Sequence, residues 1–352
     1  DKVYSTSTGF AWNEKASNYP SVVATRGYNP DLRMEKRKEV NVGFDALLFD
    51  RSLQIAVNYY ESRITDKIGK STHKYPTYQT DLAPYGNDAG RDRFFGGEIA
   101  VNYTKRFNDF RLDAGVVASL CDSRVLTRND FYAYDYLYRT GRPVTGLYML
   151  EAEGLFGSQE EIDASPRQTF GAVKPGDIKY KDQNGDKIID NNDMVYVGRG
   201  SNPINLGVNL TIGYRNFTLH ANGYGSMGGY SSIEGSYYRM SGTDKYSVIA
   251  KERWTEATKA TAKYPRLSSV ESTNNNQSST FWLFKNRYFN LSRVQLSYSF
   301  APHICRKLQL GHLDVYLLAS DVALVGTQNA YRNQSTGSLQ TRSFAIGLNA
   351  TF

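Results

Sequence analysis

From Ile204 to Asn222 the chain reads INLGVNLTIGYRNFTLHAN, and apolar and polar residues alternate almost without a fault. Ile204, Leu206, Val208, Leu210, Ile212 and Tyr214 share one side of an extended strand. Asn205, Gly207, Asn209, Thr211, Gly213 and Arg215 share the other. A period of two means strand, because successive side chains point to opposite faces of the pleat. After Arg215-Asn216 the pattern restarts, with Phe217, Leu219 and Ala221 opposed by Thr218, His220 and Asn222. The chain therefore turns back in a tight hairpin. One greasy and one wet face on strands about ten residues long fits a transmembrane β-barrel, where outward residues meet lipid and inward residues a polar lumen.

The same alternation recurs and predicts ten antiparallel strands. They lie at about 2–13, 33–48, 53–65, around Ile99–Tyr103, 110–120, 204–214, 217–224, 287–300, 313–322 and 343–352. Near Ser292 the apolar phase shifts from Phe289 and Leu291 to Val294 and Leu296, which predicts a bulge. The connections at 49–51, 108–109, 215–216 and 301–310 are short. Those at 14–32, 66–91, 127–203, 229–284 and 324–339 are long. Short and long alternate strictly, so all the long ones lie at one end, as in barrels with short periplasmic turns and long extracellular loops. This parity places the C-terminus in the periplasm. Within the long connections, SQEEIDAS predicts a short helix capped by Ser158, and KYSVIAKERW has the apolar spacing of another.

Composition narrows the class. No run approaches 18 consecutive apolar residues, so no transmembrane helix is expected, and a barrel needs only every second strand residue apolar. The 27 tyrosines and 13% aromatics exceed what a core requires and suit aromatic girdles at two membrane interfaces. The net charge of +7 comes from scattered Lys and Arg interleaved with Asp and Glu, which gives no stripe for nucleic acid. Cys121 and Cys305 make no disulfide framework. A soluble β-sandwich also alternates, and a surface-displayed sandwich that binds carbohydrate without transporting it is the alternative. Here, however, the polar faces are rich in Asn, Gly, Ser and Thr instead of Lys and Glu.

One stretch carries specific chemistry. In DQNGDKIIDNND, the residues Asp182, Asn184, Asp186, the Ile188 carbonyl, Asp190 and Asp193 occupy positions 1, 3, 5, 7, 9 and 12 of an EF-hand-type loop. That spacing wraps oxygens round one centre and makes Ca2+ in the 182–193 loop an expectation. Position 6 is Lys187 instead of Gly, and position 12 is Asp instead of Glu; a solvated polar turn is the competing reading. Tyr132, Tyr134, Tyr136 and Tyr138 stand at period two in one long connection, with Tyr230 and Trp282 in the next; all six are candidate ligand-stacking residues. The glycines of GYGSMG lack a following helix, so they cradle no phosphate. No nucleophile pairing or H-E-x-x-H is present, so no catalytic residue and no enzyme are expected.

NPDLRMEKRKEVNVGFDALLFDRSLQIAVNYYESRITDKI, EGLFGSQEEID, GDIKYKDQNGDKIIDNNDMVYVG, NPINLGVNLTIGYRNFTL, ERWTEATKATAKYPRL, KNRYFNLSRVQLSYSF and TRSFAIGLNATF follow one another in the chain. Together they resemble SusC-like TonB-dependent transporters (the SusC/RagA family). The resemblance implies an all-β transmembrane barrel, with residues 1–352 as the C-terminal portion of about 22 strands round a plugged lumen. The family's plug domain and TonB-contacting segment are absent from this sequence. It further implies active uptake of an oligosaccharide or peptide across the outer membrane. The implied partners are a SusD-like surface lipoprotein, outer-membrane lipid, and the TonB-ExbB-ExbD machinery acting through the N-terminal part.

Overall fold

The computed structural model describes all residues except 1–3, 13–14, 25, 72–73, 77, 79–81, 234–236, 243–246 and 328–340. Eleven long strands carry the architecture. They are β1 (Tyr4–Trp12), β2 (Lys15–Ala24), β3 (Lys36–Leu48), β4 (Leu53–Thr65), β5 (Arg91–Phe107) and β6 (Phe110–Thr127), followed by β7 (Ile204–Tyr214), β8 (Phe217–Ser232), β9 (Leu283–Ser299), β10 (His312–Gly326) and β11 (Ser343–Thr351). Nine of them form one sheet in the order β11-β10-β9-β8-β7-β6-β5-β4-β3, an up-and-down meander without crossovers. Pairing is in register from Ile204↔Met227 to Tyr214↔Phe217 across the β7–β8 hairpin.

Nine of the ten expected strands thus sit in one sheet. The first does not: β1 pairs with β2 in a separate two-stranded sheet, from Tyr4↔Ala24 to Trp12↔Lys15. The expected connection at 14–32 is corrected accordingly, since Lys15–Ala24 is a strand. Its sequence, KASNYPSVVA, carries Pro20 and no alternation, so no strand pattern stands out. Several strands also run further than their apolar pattern, β5 back to Arg91 and β6 on to Thr127. The expected bulge is present: Ser292 falls between the paired residues Leu291 and Arg293 on the β10 side. The expected loop at 324–339 falls mostly outside the described residues. Cys121 is exposed, Cys305 buried, and both are free.

The decisive observation is what the sheet leaves uncovered. Val42 on β3, Val116 on β6 and Leu317 on β10 are 63%, 46% and 55% exposed, and they belong to the apolar faces read from the sequence. A sandwich would bury this face against a second sheet, and water-soluble chains rarely leave so much contiguous apolar surface bare. On the opposite face the cross-strand partners are polar: Thr211 faces His220, with Oγ1 and Nδ1 2.9 Å apart. A greasy face over backbone paired from strand to strand is what hydrocarbon demands.

By density of contacts the chain divides into two compact units. The first comprises Asp1–Asn41, Tyr60–Phe95 and Asp122–Val144. It holds the β1–β2 hairpin, the long-connection ends of β3 to β6, and a small strand pair, Gly69–Lys70 with Tyr85–Gly86. Its interior centres on Asp92, 0% exposed, whose carboxylate meets Lys67 Nζ at 2.5 Å and Arg128 Nη1 at 2.7 Å. The second unit comprises Val42–Tyr59, Gly96–Cys121 and Thr145–Phe352.

The two faces make opposite demands on charge. Leu210→Arg, aimed at lipid, is expected to cost about 2–4 kcal/mol and to lower the yield of folded barrel on heat-modifiability gels. Thr211→Arg, one residue along on the polar face, is expected to leave folding in lipid vesicles near wild type.

Candidate functional site

In the second unit the long connections after β6 and β8 fold together as a small cap. Strand Gly146–Leu150 pairs with Met194–Arg199, and Ala152–Leu155 pairs with Ile178–Tyr180, both antiparallel. Arg167–Gln168 runs parallel to Ile188–Ile189. None of these short strands has an apolar face wide enough to bury alone. Leu150, Ile178, Tyr180 and Ile189 from the first connection instead close on Ile233, Tyr238, Trp282 and Phe284 at the second. The expected helix is Gln159–Ala164; Ser158 Oγ accepts the Glu161 amide at 3.3 Å, and Glu161 in turn accepts from the Gly157 amide at 2.8 Å. The described part of KYSVIAKERW forms a 3-10 segment, Val248–Glu252, and Lys245 and Tyr246 lie outside the described residues.

Two consecutive asparagines join the halves of the cap. Asn274 Nδ2 donates to the Ile178 carbonyl at 3.0 Å, and its Oδ1 accepts from Gln168 Nε2 at 2.7 Å. Asn275 Oδ1 accepts the Ile178 amide at 2.9 Å, while its Nδ2 donates to Asp177 at 2.9 Å. Their carbonyls take the Tyr180 hydroxyl and the Trp282 indole N–H, each at 2.7 Å. Asp177 is 0% exposed and also accepts from Arg266 Nη2 at 3.2 Å. Arg266 Nε stands 2.9 Å from the other carboxylate oxygen, a close ionic contact without hydrogen-bond alignment. Burial pushes the Tyr180 phenol well above its ordinary pKa, so it serves as a neutral donor. None of this network stood out in the sequence, where NNNQSS reads as a polar loop.

The acidic loop belongs to this cap. Asp182 accepts the Gly185 and Lys187 amides at 2.7 and 2.9 Å, and Asp186 accepts the Ile188 amide at 2.7 Å. Asp193 is 0% exposed; one oxygen takes the Gln183 amide and the other the Asp190 amide, both at 2.8 Å. Lys187 adopts φ 64°, the left-handed bend this loop type ordinarily gives to Gly. In this conformation the loop is held by its own amides. Among the described residues no group of three or more His, Cys, Asp or Glu is placed to hold a metal ion.

The aromatic candidates separate. Trp282 is 2% exposed, with Arg239 over its ring at 5.4 Å, and is part of the cap core instead of an open platform. Tyr230 lies on Gly198, where an added Cβ would stand 2.5 Å from the ring, so a larger residue there would have to displace it. Tyr132, Tyr134, Tyr136 and Tyr138 lie in the first unit. They do not form the extended strip their spacing suggests, because the backbone turns through a 3-10 segment at Asp135–Leu137. Tyr134 stacks on Tyr136 at 5.4 Å, and Tyr132 meets Tyr138 edge-on at 5.8 Å. A groove of about 460 Å³ also opens on the cap, lined by Phe156, Ile162, Pro166, Arg167, Gln168 and Val173.

The buried ion pair sets the cap's weakest point. Arg266→Ala strands the Asp177 carboxylate and is expected to cost about 3–5 kcal/mol, read as faster hydrogen exchange at the Ile178 and Tyr180 amides. Acid should loosen the cap too. The Gly157 amide holds the Glu161 carboxyl, and Gln183 holds the Glu151 carboxyl, below the usual value of 4.5. A depressed carboxylate contributes stability above its unfolded pKa that is lost as pH falls through the folded value. Amide exchange at Gly157, whose N–H the Glu161 carboxylate accepts, is therefore expected to rise below the ordinary glutamate range.

Comparison with known proteins is consistent with this architecture. A family model described as "TonB dependent receptor-like, beta-barrel" matches residues 3–230. TonB-dependent receptor P26 of Formosa agariphila is 26% identical over 363 residues, covering 93% of this chain and 36% of that protein. The structure of the RagAB peptide transporter superposes with a TM-score of 0.72 at 16% identity, covering 99% of this chain and 38% of the matched one. The RagAB peptide importer in the "open-open" state gives a TM-score of 0.72 at 16% identity, with coverage of 99% and 37%. This chain thus spans little more than a third of the length of these relatives. The structural likeness supports the fold; the family model, which spans more than half of the sequence, settles kinship. The chain belongs to the TonB-dependent receptor β-barrel family, outer-membrane receptors and transporters rather than enzymes.

Proposed function

We propose that this chain supplies the substrate-facing part of an outer-membrane importer, which takes up an oligopeptide or oligosaccharide too large for passive pores. The observation that carries this reading is the folded cap: two connections of 76 and 50 residues share one core at the long-connection end of the sheet. Ordered structure built from loops positioned by a rigid sheet is where binding residues concentrate. In this reading the long connections face outside the cell and the C-terminus faces the periplasm. Similarity to the RagAB peptide transporter favours a peptide cargo, and the family resemblance adds a SusD-like lipoprotein partner over the cap. Energy would come from TonB-ExbB-ExbD through the N-terminal part of the protein. Calcium in the 182–193 loop remains part of the proposal and requires the loop to rearrange, since its carboxylates now hold amides. Calcium added to chelator-treated protein would then raise the melting temperature.

Uptake of labelled oligopeptides by cells carrying the full-length protein is expected to stop when TonB is deleted. Arg266→Ala is expected to reduce it more than tenfold while the barrel still migrates as folded. Uptake that persists without TonB would overturn the transport reading; preference for oligosaccharides in the same assay would reassign the cargo class.

A further inference from the structure

A cavity of about 30 Å³ lies in the second unit where two segments of the cap meet, lined by Tyr238, Arg239, Ser241, Tyr264, Arg266 and Trp282. The Gly242 amide donates to the Ser268 carbonyl at 3.1 Å, and the Tyr238 and Tyr264 rings stand 6.0 Å apart, which fixes one segment against the other. The two arginines differ in what they meet. Arg266 is held by the buried Asp177 carboxylate. Among the described residues the half-buried Arg239 has no carboxylate partner and makes one hydrogen bond, from Nη1 to the Asn276 carbonyl at 3.3 Å. Its Nε is shut off from solvent with no acceptor. Glu271 accepts from the Asn276 side chain at 2.7 Å and forms no ion pair with Arg239. The Trp282 ring, 5.4 Å from the guanidinium carbon, balances part of the charge. The Asn276 carbonyl balances none of it.

A guanidinium N–H withdrawn from water without an acceptor is costly, and native structures leave few of them. With Nη1 bonded, the Nε–Nη2 edge remains, and its two parallel N–H groups match the spacing of the two oxygens of a carboxylate. We propose that Arg239 binds a carboxylate group of the imported ligand, which rests on the reading of this chain as part of an importer. The cavity admits one small planar anionic group and no sugar ring, so the carboxylate alone enters and the rest of the ligand stays outside. The C-terminus of a peptide and a uronic acid offer the same two oxygens. Arg266 takes no part, because Asp177 already neutralises it.

The test uses full-length protein in mild detergent and an N-acetylated octapeptide library without Asp or Glu. The library is prepared as free acids and as C-terminal amides, and bound peptide is read by mass spectrometry. Wild type is expected to bind the free acids about tenfold more tightly, the gain of one charge-assisted contact. Arg239→Gln is expected to abolish that preference, and Lys251→Gln, at an exposed cation in the same long connection, to leave it intact. Free acids, and not amides, should slow hydrogen exchange of wild type in segments 238–242 and 272–276, which locates the carboxylate even if the glutamine variant does not fold. A uronic-acid trisaccharide and its methyl ester go through the same assay, where an Arg239-dependent preference for the acid assigns the sugar as the source of the carboxylate. Equal binding of the acid and neutral forms of both probes, an acid preference that survives Arg239→Gln, or unchanged exchange in both segments would overturn the inference. So would displacement by chloride added at constant ionic strength, which marks an adventitious small-anion site. TonB-dependent uptake without any acid preference refutes this inference alone, whereas uptake that persists without TonB refutes the importer reading and leaves the binding result standing.

Discussion

Hydrocarbon offers no partner for a peptide N–H or C=O, and the rest of this structure follows from that one constraint. Every spanning residue must find its backbone partners in a neighbouring strand, so the nine long strands lie in one continuous antiparallel ladder. Antiparallel neighbours need only tight turns, and the β7–β8 and β5–β6 reversals each use two residues. Because the pleat alternates, lipid contact on one face leaves the other free to be polar, as at Thr211 and His220. Length that serves no spanning purpose is pushed to the strand ends.

At those ends water returns and ordinary folding rules apply. The cap has a small apolar cluster, so it relies on directed polar contacts to fix one arrangement. Asn274 and Asn275 satisfy the backbone of Ile178 and draw in Gln168, Tyr180 and Trp282. Asp177, fully buried, accepts hydrogen bonds from the Lys174 amide, Arg266 Nη2 and Asn275 Nδ2, which anchors Arg266 from a distant part of the chain. The acidic loop uses the same device on a smaller scale, with Asp193 closing the loop from its last position.

Legibility in the sequence tracked how local each determinant is. The strand at 343–351 and the β7–β8 hairpin were plain because their lipid and polar faces differ at every step. The bulge at Ser292 was visible as a phase shift for the same reason. Strand β2 was hidden, because Pro20 and mixed polarity erase the alternation while pairing to β1 still holds it. The four tyrosines stand at period two in the sequence, and the turn at Asp135–Leu137 brings them into pairwise ring contacts that the spacing alone did not show. At the long-connection ends of β3 to β6 charges replace apolar residues, and only the burial of Ser62, Asp92 and Val125 shows that the alternation continues.

The sequence by itself determined the two faces of the sheet strands and the tight hairpins between them. Each depends on residues close together in the chain, within reach of local geometry. Only the tertiary structure decided which polar side chains become the interior of the cap. Asn275 meets Ile178 across 97 residues and Asp177 across 98, and neither segment carries a mark of the other. A buried asparagine and a loop asparagine are the same letter until the partner arrives to desolvate one of them.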